Sequence, residues 1–469
     1  MEEFVYFYCI GIHIAFKFNK QIKIGGNILI LINGRIITQD IERPYIENGS
    51  IVIKGEKIVD LGNTEDMIKK YPHEEIEDVK GKVVMPGLIN THHHIYSAFA
   101  RGMKSNGKPS KDFIEILENL WWKLDKKLNL EDVEYSALTT YTDCIKNGVT
   151  TVFDHHASPY AITGSLETIA EAANKLGIRT CLCYEVSDRD GMEIMEEGIK
   201  ENINFIKKYN ADSQNMIKGM FGLHASFTLS DASLRRCDEE MKGLNAGYHV
   251  HTAEGKADLE DSLKKYNKRV VERLRDFNIL GDKTIAVHCI HINEEEMNIL
   301  RDTKTNVVHN AESNMGNAVG CSPFLEMFAK GINIGIGTDG YTSDMFESMK
   351  VANILHKHEK KDPSVAWGEV PTALFENNRK IAEKYFKGDI GVIKAGALAD
   401  VIVVDYDPLT PMDGNNTNGH ILFGMMGRSV VTTIINGKIV MKDRKLLTGD
   451  EKEIFGHSRE TAQKLWNRM

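Results

Sequence analysis

Two histidine pairs, each with one residue between its members, are the features of this sequence whose spacing favours metal chemistry. His92 and His94 follow the largely apolar segment 83–89, and His249 and His251 lie in the segment GYHVHTAEG. Side chains alternate faces along a strand, so the imidazoles of each pair point the same way and can share one ion. Neutral imidazoles are common ligands of Zn2+ and Fe2+. For either pair alone, two buried, hydrogen-bonded histidines without an ion are the alternative.

Three more residues that suit metal or proton chemistry lie at or just after the ends of later predicted strands. Glu254 follows His251 by three positions, His288 ends the apolar run TIAVH, and Asp339 lies in a Gly-Thr-Asp-Gly segment. A carboxylate is also favoured in the first turn of any helix, and an Asp beside Gly340 is typical of a turn. Together with the upstream histidines, the pattern favours Asp339 as a metal ligand that also receives a proton.

Alternating helix-like and strand-like blocks fill the middle of the chain, which is the pattern of βαβ units with a parallel sheet. The strand before His92 is followed by seven more predicted strands: 150–154, 179–186, 220–224, 248–252, 284–288, 306–309 and 332–338. The predicted helices are 111–127, 131–147, 166–176, 193–208 and 258–277. An α/β fold with a closed (β/α)8 barrel of the TIM type is the simplest architecture, with function expected at the carboxyl ends of the strands.

Strand-rich segments at both ends of the chain predict a second, smaller unit. Short antiparallel strands are indicated, with turns at Asn33-Gly34, near Gly55 and at Asn436-Gly437. We therefore predict a small β-sandwich formed by residues 27–85 and 397–447.

The remaining segments complete the predicted organisation. The barrel is expected at 86–396 and a helical tail at 448–469. Residues 1–26 are interpreted as an N-terminal extension of unclear role. Its apolar stretch is shorter than the about 20 residues of a membrane helix, and Glu2 and Glu3 stand where a signal peptide would carry positive charge.

Composition narrows the classes of partner and compartment. The 469 residues carry a formal net charge of -9 with a pI near 6.0, and the sequence has no long basic run. Nucleic acid and anionic membranes are therefore disfavoured as partners, whereas a homo-oligomer stays open. The seven cysteines are odd in number and form no Cys-x-x-Cys pair, which favours reduced thiols in the cytoplasm.

The motifs resemble the amidohydrolase superfamily. Segment 86–94 matches its Pro-Gly-x-x-[Asp/Asn]-x-His-x-His strand end, with Asn90 where many members have Asp, and segment 396–400 resembles the usual start of its terminal β-sandwich. The long insert after the first barrel strand, with Trp121 and Trp122, is similar to that of aminohydrolases of the SsnA type. This resemblance runs over most of the chain from position 27.

The resemblance implies a single divalent ion, Zn2+ with Fe2+ as the alternative, held by four ligands: His92, His94, His251 and Asp339. Glu254 would carry protons, and His288 would complete the metal shell or bond the activated water. His224 would touch the substrate, although a buried histidine without that role is the alternative. No lysine ends the predicted strand 220–224, where binuclear relatives carry one, so the mononuclear, deaminase-like branch is favoured.

The predicted function is hydrolysis of a carbon–nitrogen bond other than a peptide bond. Deamination of an amino-substituted purine, pyrimidine or related small heterocycle is the first interpretation, with Asp339 and Glu254 as catalytic groups beside His288. A ring amidase, a chlorohydrolase and a non-catalytic metal-binding subunit are the alternatives. The sequence lacks the His-x-Glu and Pro-Cys-x-x-Cys signature of deaminases that act on nucleic acids.

Overall fold

The computed structural model describes residues 28–104, 109–211 and 215–469. Its strands are β1 (Ile28–Ile37), β2 (Tyr45–Lys54), β3 (Lys57–Asn63), β4 (Glu75–Asp78), β5 (Val83–Pro86), β6 (Leu88–His93), β7 (Val149–His156), β8 (Arg179–Tyr184), β9 (Ile217–Gly219), β10 (Phe221–Ala225), β11 (Tyr248–Thr252), β12 (Ile285–His288), β13 (Asn306–His309), β14 (Ile334–Ile336), β15 (Val401–Val404), β16 (Val430–Ile435), β17 (Lys438–Lys442) and β18 (Lys445–Leu446).

The α-helices are α1 (Thr64–Lys70), α2 (Phe113–Ile116), α3 (Trp122–Leu124), α4 (Leu130–Lys146), α5 (Ser165–Leu176), α6 (Met192–Asn210), α7 (Asp231–Met241), α8 (Lys256–Tyr266), α9 (Val270–Asp276), α10 (Glu294–Asp302), α11 (Ala311–Gly316), α12 (Phe324–Ala329), α13 (Met345–Lys360), α14 (Glu369–Thr372), α15 (Asn378–Ala382), α16 (Thr417–Gly424) and α17 (Glu451–Arg468). Across the described ranges, no helix has both the length and the apolar character needed to cross a membrane.

Strands from both ends of the chain form one nine-stranded sheet. Its path is β18-β17-β16-β15-β5-β1-β2-β3, with β4 paired to β1. Buried apolar side chains from both ends pack in one cluster, including Leu31 and Ile53 from the first part and Val401 and Ile434 from the last. The predicted unit built from both ends of the chain is therefore present, and its exact limits stay a prediction.

The turn predicted at Asn33-Gly34 is wrong. Strand β1 continues through both residues, and its register against β2 shifts on either side of Gly34. Asn33 takes the left-handed conformation (φ 57°) that Asn tolerates, and here it produces a bulge instead of a hairpin. The turn at Asn436-Gly437 is as expected, because both residues have positive φ and connect the antiparallel strands β16 and β17.

A closed barrel of parallel strands forms the larger part of the chain. Strands β6 to β9 form one sheet and β10 to β14 another, so β9 and β10 share the fourth strand position. Bridges join Val186 to Leu223 at one seam and His93 to Asp339 at the other. At the first seam a Cβ on Gly222 would lie 2.3 Å from the Tyr184 carbonyl oxygen, so glycine permits the close approach. The predicted (β/α)8 barrel is confirmed.

Two predicted helices are divided. Helix 258–277 is two helices, because Asn267 turns left-handed (φ 51°) and ends α8 before α9 begins. Segment 111–127 contains α2, a π-helical turn at Leu117–Trp121, α3 and a 3-10 turn at Asp125–Lys127. Apolar periodicity predicts where a helix lies but does not predict these interruptions.

The barrel is tied to the nine-stranded sheet by a buried ion pair. Arg179 on β8 and Asp400 just before β15 are both fully buried, and Arg179 Nη2 lies 2.9 Å from Asp400 Oδ2. The backbone N–H of Asn436 also donates to Asp400 Oδ1 at 2.7 Å. The carboxylate is thus bonded from both parts of the molecule, as a buried charge requires.

Candidate metal centre

Strand β6 brings the first histidine pair to the mouth of the barrel beside the last strand. Asn90 Nδ2 donates to Thr338 Oγ1 at 2.7 Å, and the backbone N–H groups of Thr338 and Asp339 donate to the His92 carbonyl at 3.1 and 3.0 Å. These bonds hold Asp339 next to His92, although the two residues are far apart in sequence. Asn90 therefore fixes the seam at which the predicted carboxylate meets the predicted imidazoles.

The four predicted ligands converge at this mouth. His94 Nε2 lies 3.1 Å from His251 Nε2 and 3.5 Å from Asp339 Oδ1, while His92 Nε2 lies 4.0 Å from the same oxygen. All three histidines are buried, and the Asp339 side chain is 13% exposed. Four donor atoms of the types that bind Zn2+ or Fe2+ thus face one small volume.

The hydrogen bonds of these imidazoles fit a bound cation. His94 Nδ1 donates to the His155 carbonyl at 2.6 Å, and His251 Nδ1 donates to the His224 carbonyl at 2.8 Å. In the neutral tautomers, both Nε2 atoms then carry lone pairs that face each other without a proton between them. His92 Nε2 is buried without a hydrogen-bond partner among the described residues. A divalent ion would satisfy all three lone pairs.

The pKa shifts of His92, His251 and Asp339 agree with this donor set, whereas for His94 burial favours the neutral ring but the charges of Asp339 and Glu185 raise the pKa above its usual value. Burial, followed by the neighbouring histidines, holds the pKa values of His92 and His251 well below the usual range, so both rings are neutral at physiological pH. Burial works against ionisation of Asp339, but His94 and His288 lower its pKa below the usual value. Neutral imidazoles and an ionised carboxylate are the protonation states that bind metal.

Glu254 and His288 lie beside the four ligands. Glu254 Oε2 is 3.4 Å from His288 Nε2, and His288 Nδ1 donates to Asn314 Oδ1 at 2.8 Å. Burial, and then the charge of Asp339, raises the pKa of Glu254 well above its usual value. A carboxyl group with a raised pKa is suited to donate a proton, whereas an ordinary surface carboxylate is ionised at neutral pH.

A cavity opens onto these groups. The insert after β6 supplies an apolar wall that includes Phe113, Leu117 and Trp122, and His224 lies opposite with its ring 6.1 Å from that of Trp122. The predicted substrate contact His224 thus lines the cavity together with Glu254. A pocket that combines an aromatic wall with polar groups on the opposite side suits a small heterocycle.

Two further residues of this site, His155 and Glu185, have no role in the sequence interpretation. His155, at the end of β7, donates from Nε2 to the His249 carbonyl at 3.0 Å. Glu185, directly after β8, is buried with its Oε1 3.2 Å from His155 Nδ1 and 3.4 Å from His94 Nδ1. Burial opposes its ionisation, yet the surrounding histidines, led by His155, hold the pKa of Glu185 well below its usual value. The available signal in the sequence was that Glu185 is a charged residue directly after an apolar strand.

The comparisons with known proteins agree with this geometry. The family described as "Amidohydrolase family" matches residues 83–440. The chain belongs to the amidohydrolase family. Its hydrolase chemistry at carbon–nitrogen bonds other than peptide bonds and its use of a divalent metal are thereby confirmed, with the buried histidine and aspartate cluster as the metal site. The resemblance to the SsnA type within this family stays a prediction.

Individual amidohydrolases match over nearly their whole length. The chain is 31% identical over 443 residues to the 5'-deoxyadenosine deaminase of Methanosarcina acetivorans, covering 93% of this chain and 98% of that protein. It is 29% identical to the 5-methylthioadenosine/S-adenosylhomocysteine deaminase of Caldanaerobacter subterraneus, with coverage of 93% and 98%. The zinc-bound crystal structure of an adenosine deaminase from Xanthomonas campestris superposes with a TM-score of 0.82 at 20% identity, with coverage of 94% and 99%, and supports the fold.

Proposed function

We propose that this amidohydrolase releases ammonia from an amino-substituted purine or a related heterocycle, with an adenine nucleoside as the first substrate class to test. The observation that carries the proposal is the position of Glu254. A carboxyl group with a raised pKa lines an aromatic cavity, beside a cluster of four metal-type ligands. The names of the related deaminases from Methanosarcina acetivorans and Caldanaerobacter subterraneus support the same substrate class.

The proposed ligands are His92, His94, His251 and Asp339, and the proposed ion is Zn2+, with Fe2+ as the alternative. Three imidazole nitrogens and one carboxylate oxygen suit either ion. When bound, the ion lowers the pKa of a water from 15.7 to about 7 and so makes hydroxide available at neutral pH.

The proton transfers are assigned to two carboxylates. Asp339 accepts the proton of the water as its oxygen adds to the ring carbon that carries the amino group. Glu254 donates its proton to the adjacent ring nitrogen, so the carbon becomes tetrahedral without a net charge on the ring. The proton on Asp339 then passes to the amino nitrogen, the carbon–nitrogen bond breaks and ammonia leaves, while the new hydroxyl group gives its proton back to Glu254 and becomes the keto oxygen, so the ring nitrogen keeps its hydrogen. His288, between both carboxylates, hydrogen-bonds and orients the attacking oxygen.

The metal-loaded protein should release one ammonia for each nucleoside converted to its keto product. A suitable panel is adenosine, 5'-deoxyadenosine, 5-methylthioadenosine and S-adenosylhomocysteine, assayed for ammonia and by mass spectrometry of the product. Glu254→Gln is the matched control, because it keeps the shape of the side chain without its acid function. Ring opening, or release of a leaving group other than ammonia, would assign the site to the ring amidase or chlorohydrolase alternative.

A further inference from the structure

Glu185 is a carboxylate in the cavity wall that the proposed reaction does not use. Its side chain is 3% exposed, and it lies directly after β8 at the mouth of the barrel. The described residues that line the cavity include no lysine or arginine. Its surroundings therefore decide what this buried negative group can bind.

Four other carboxylates line the same cavity, and each has a partner or a proposed role. Asp125 Oδ2 accepts from Arg189 Nη2 at 2.9 Å, and Asp258 accepts from the backbone N–H groups of Phe227 and Ala253, both at 2.9 Å. The other two, Asp339 and Glu254, act in the proposed reaction. Glu185 has no lysine, arginine or backbone N–H partner among the described residues, and its carboxylate lies against the imidazoles of His94, His155 and His224.

The histidines around Glu185 also make hydrogen bonds to other groups. His94 Nδ1 and His155 Nε2 donate to backbone carbonyls. Thr228 Oγ1 donates its single hydrogen to the Ala225 carbonyl at 3.0 Å, so it accepts from His224 Nδ1 at 2.9 Å. With its proton on Nδ1, His224 carries a lone pair on the Nε2 atom that faces Glu185.

One of these contacts opens onto the cavity. His224 Nε2 and Glu185 Oε2 lie 3.9 Å apart, and both residues line the cavity. Two acceptors at this separation leave each other unsatisfied, and leaving a buried carboxylate unpaired is costly. A ligand atom that carries hydrogen can donate to Glu185 Oε2, and an amino group with two hydrogens can donate to both acceptors.

We infer that Glu185, together with His224, selects substrates that present a second hydrogen-bond donor, an N–H or an O–H group, apart from the amino group that is removed. This inference rests on the proposed function, because it names a requirement on the same substrate. The donor belongs either to the heterocycle, as an additional amino or ring N–H group, or to an attached sugar, as a hydroxyl group. A ligand with only acceptors on this side would meet two lone pairs and bind weakly.

Equilibrium binding to the metal-loaded Glu254→Gln protein tests the inference without turnover. The probes are matched pairs that differ in one donor: 2-aminoadenosine against adenosine for N–H, and adenosine against its 2'-deoxy and 3'-deoxy analogues for O–H. A hydrogen bond to a charged group predicts about 10- to 100-fold tighter binding of the donor-bearing member in at least one pair. Adding Glu185→Met should reduce that preference to about twofold or less. Adding Glu312→Gln, a partly buried carboxylate outside the cavity, should preserve it.

The outcomes separate a selective role from a structural one. The inference is supported if one pair shows a binding preference and Glu185→Met removes it. The pair concerned then shows which donor bonds Glu185. The inference is overturned if no compound binds, if no pair shows a preference, or if the preference persists in Glu185→Met. Metal content, measured by mass spectrometry, tests the structural alternative. The inference is also overturned if Glu185→Met and Glu185→Gln both lower the metal content while the metal-loaded fraction keeps its preference. In that case Glu185 would only position His94 and His155. Absence of ammonia release by the unsubstituted enzyme would contradict the proposed function alone.

Discussion

Glu254 Oε2 lies 3.4 Å from Nε2 of His288, a nitrogen that is buried and has no hydrogen-bond partner among the described residues. On its other side the same nitrogen lies 3.6 Å from Asp339 Oδ2. One imidazole therefore stands between a carboxyl group with a raised pKa and a carboxylate with a lowered pKa. Opposite shifts in two neighbouring acids are the arrangement expected of a proton donor and a proton acceptor.

Glu254→Gln should abolish turnover without releasing the metal. Glutamine keeps the size of the side chain but cannot transfer a proton, so kcat should fall by about 10²- to 10⁴-fold. Ammonia release measures the activity, and metal analysis of the same sample measures the content. Near-normal activity in this variant would show that Glu254 is not the proton donor.

His251→Ala should reduce the metal content well below that of the unsubstituted protein. It removes an Nε2 atom that lies 3.1 Å from His94 Nε2 in the ligand cluster. His291→Ala is the matched control, because His291 lies on the loop after β12 and bonds the Val319 carbonyl. Equal metal content in both variants would exclude His251 as a ligand.

Removing the metal should lower thermal stability. The lone pairs of His94, His251 and His92 converge, so an ion that binds only the folded state stabilises it, by about 4 kcal/mol at a free concentration 1,000 times the dissociation constant. Chelator treatment should lower the Tm measured by calorimetry, and addition of Zn2+ should restore it. An unchanged Tm after complete removal of the metal would contradict this metal centre.

Arg179→Met should strongly destabilise the fold. The substitution leaves Asp400 as a buried charge without its ionic partner, which costs about 3–5 kcal/mol in the free energy of unfolding. Arg236→Met is the control, because Arg236 pairs with Glu196 at a partly exposed surface, where such a pair contributes about 0–1 kcal/mol. Urea unfolding compares the two, and similar losses would contradict the importance of the buried pair.

Glu312→Gln should stabilise the protein at alkaline pH. Burial, followed by the nearby charges of Glu347 and Asp344, raises the pKa of Glu312 from 4.5 to about 7. The protonated form therefore stabilises the fold fully below pH 4.5, and this contribution is lost as the pH rises through about 7. Glutamine resembles the protonated form, so the variant should gain about 3 kcal/mol over the unsubstituted protein at pH 8 and much less at pH 5.

The reverse dependence on pH would contradict this assignment. If Glu312 were stabilised as a carboxylate, glutamine would destabilise the protein at pH 8, where the charged form predominates. Thermal unfolding at both pH values distinguishes the two results, provided that the metal content is equal in all samples.

The local sequence pattern was sufficient to predict the main features of the candidate site. Alternation along a strand predicts that His92 and His94 share a face, and the described structure has both imidazoles at one barrel mouth. The alternation of helices and strands likewise predicts the barrel that brings Asp339 beside them. These features depend on interactions within a few residues or on a rule of topology, so they can be derived without coordinates.

Contacts between distant segments decided the rest. Glu185 meets His155 and His224 only because three different strands end at the same height, and Asn33 forms a bulge only because β2 continues to pair beyond it. The sequence by itself was sufficient to predict the kinds of candidate ligand and the barrel that carries them. Register, burial and the direction of each hydrogen bond were decided by the tertiary structure, because they depend on which residues of distant segments become neighbours when the sheet closes.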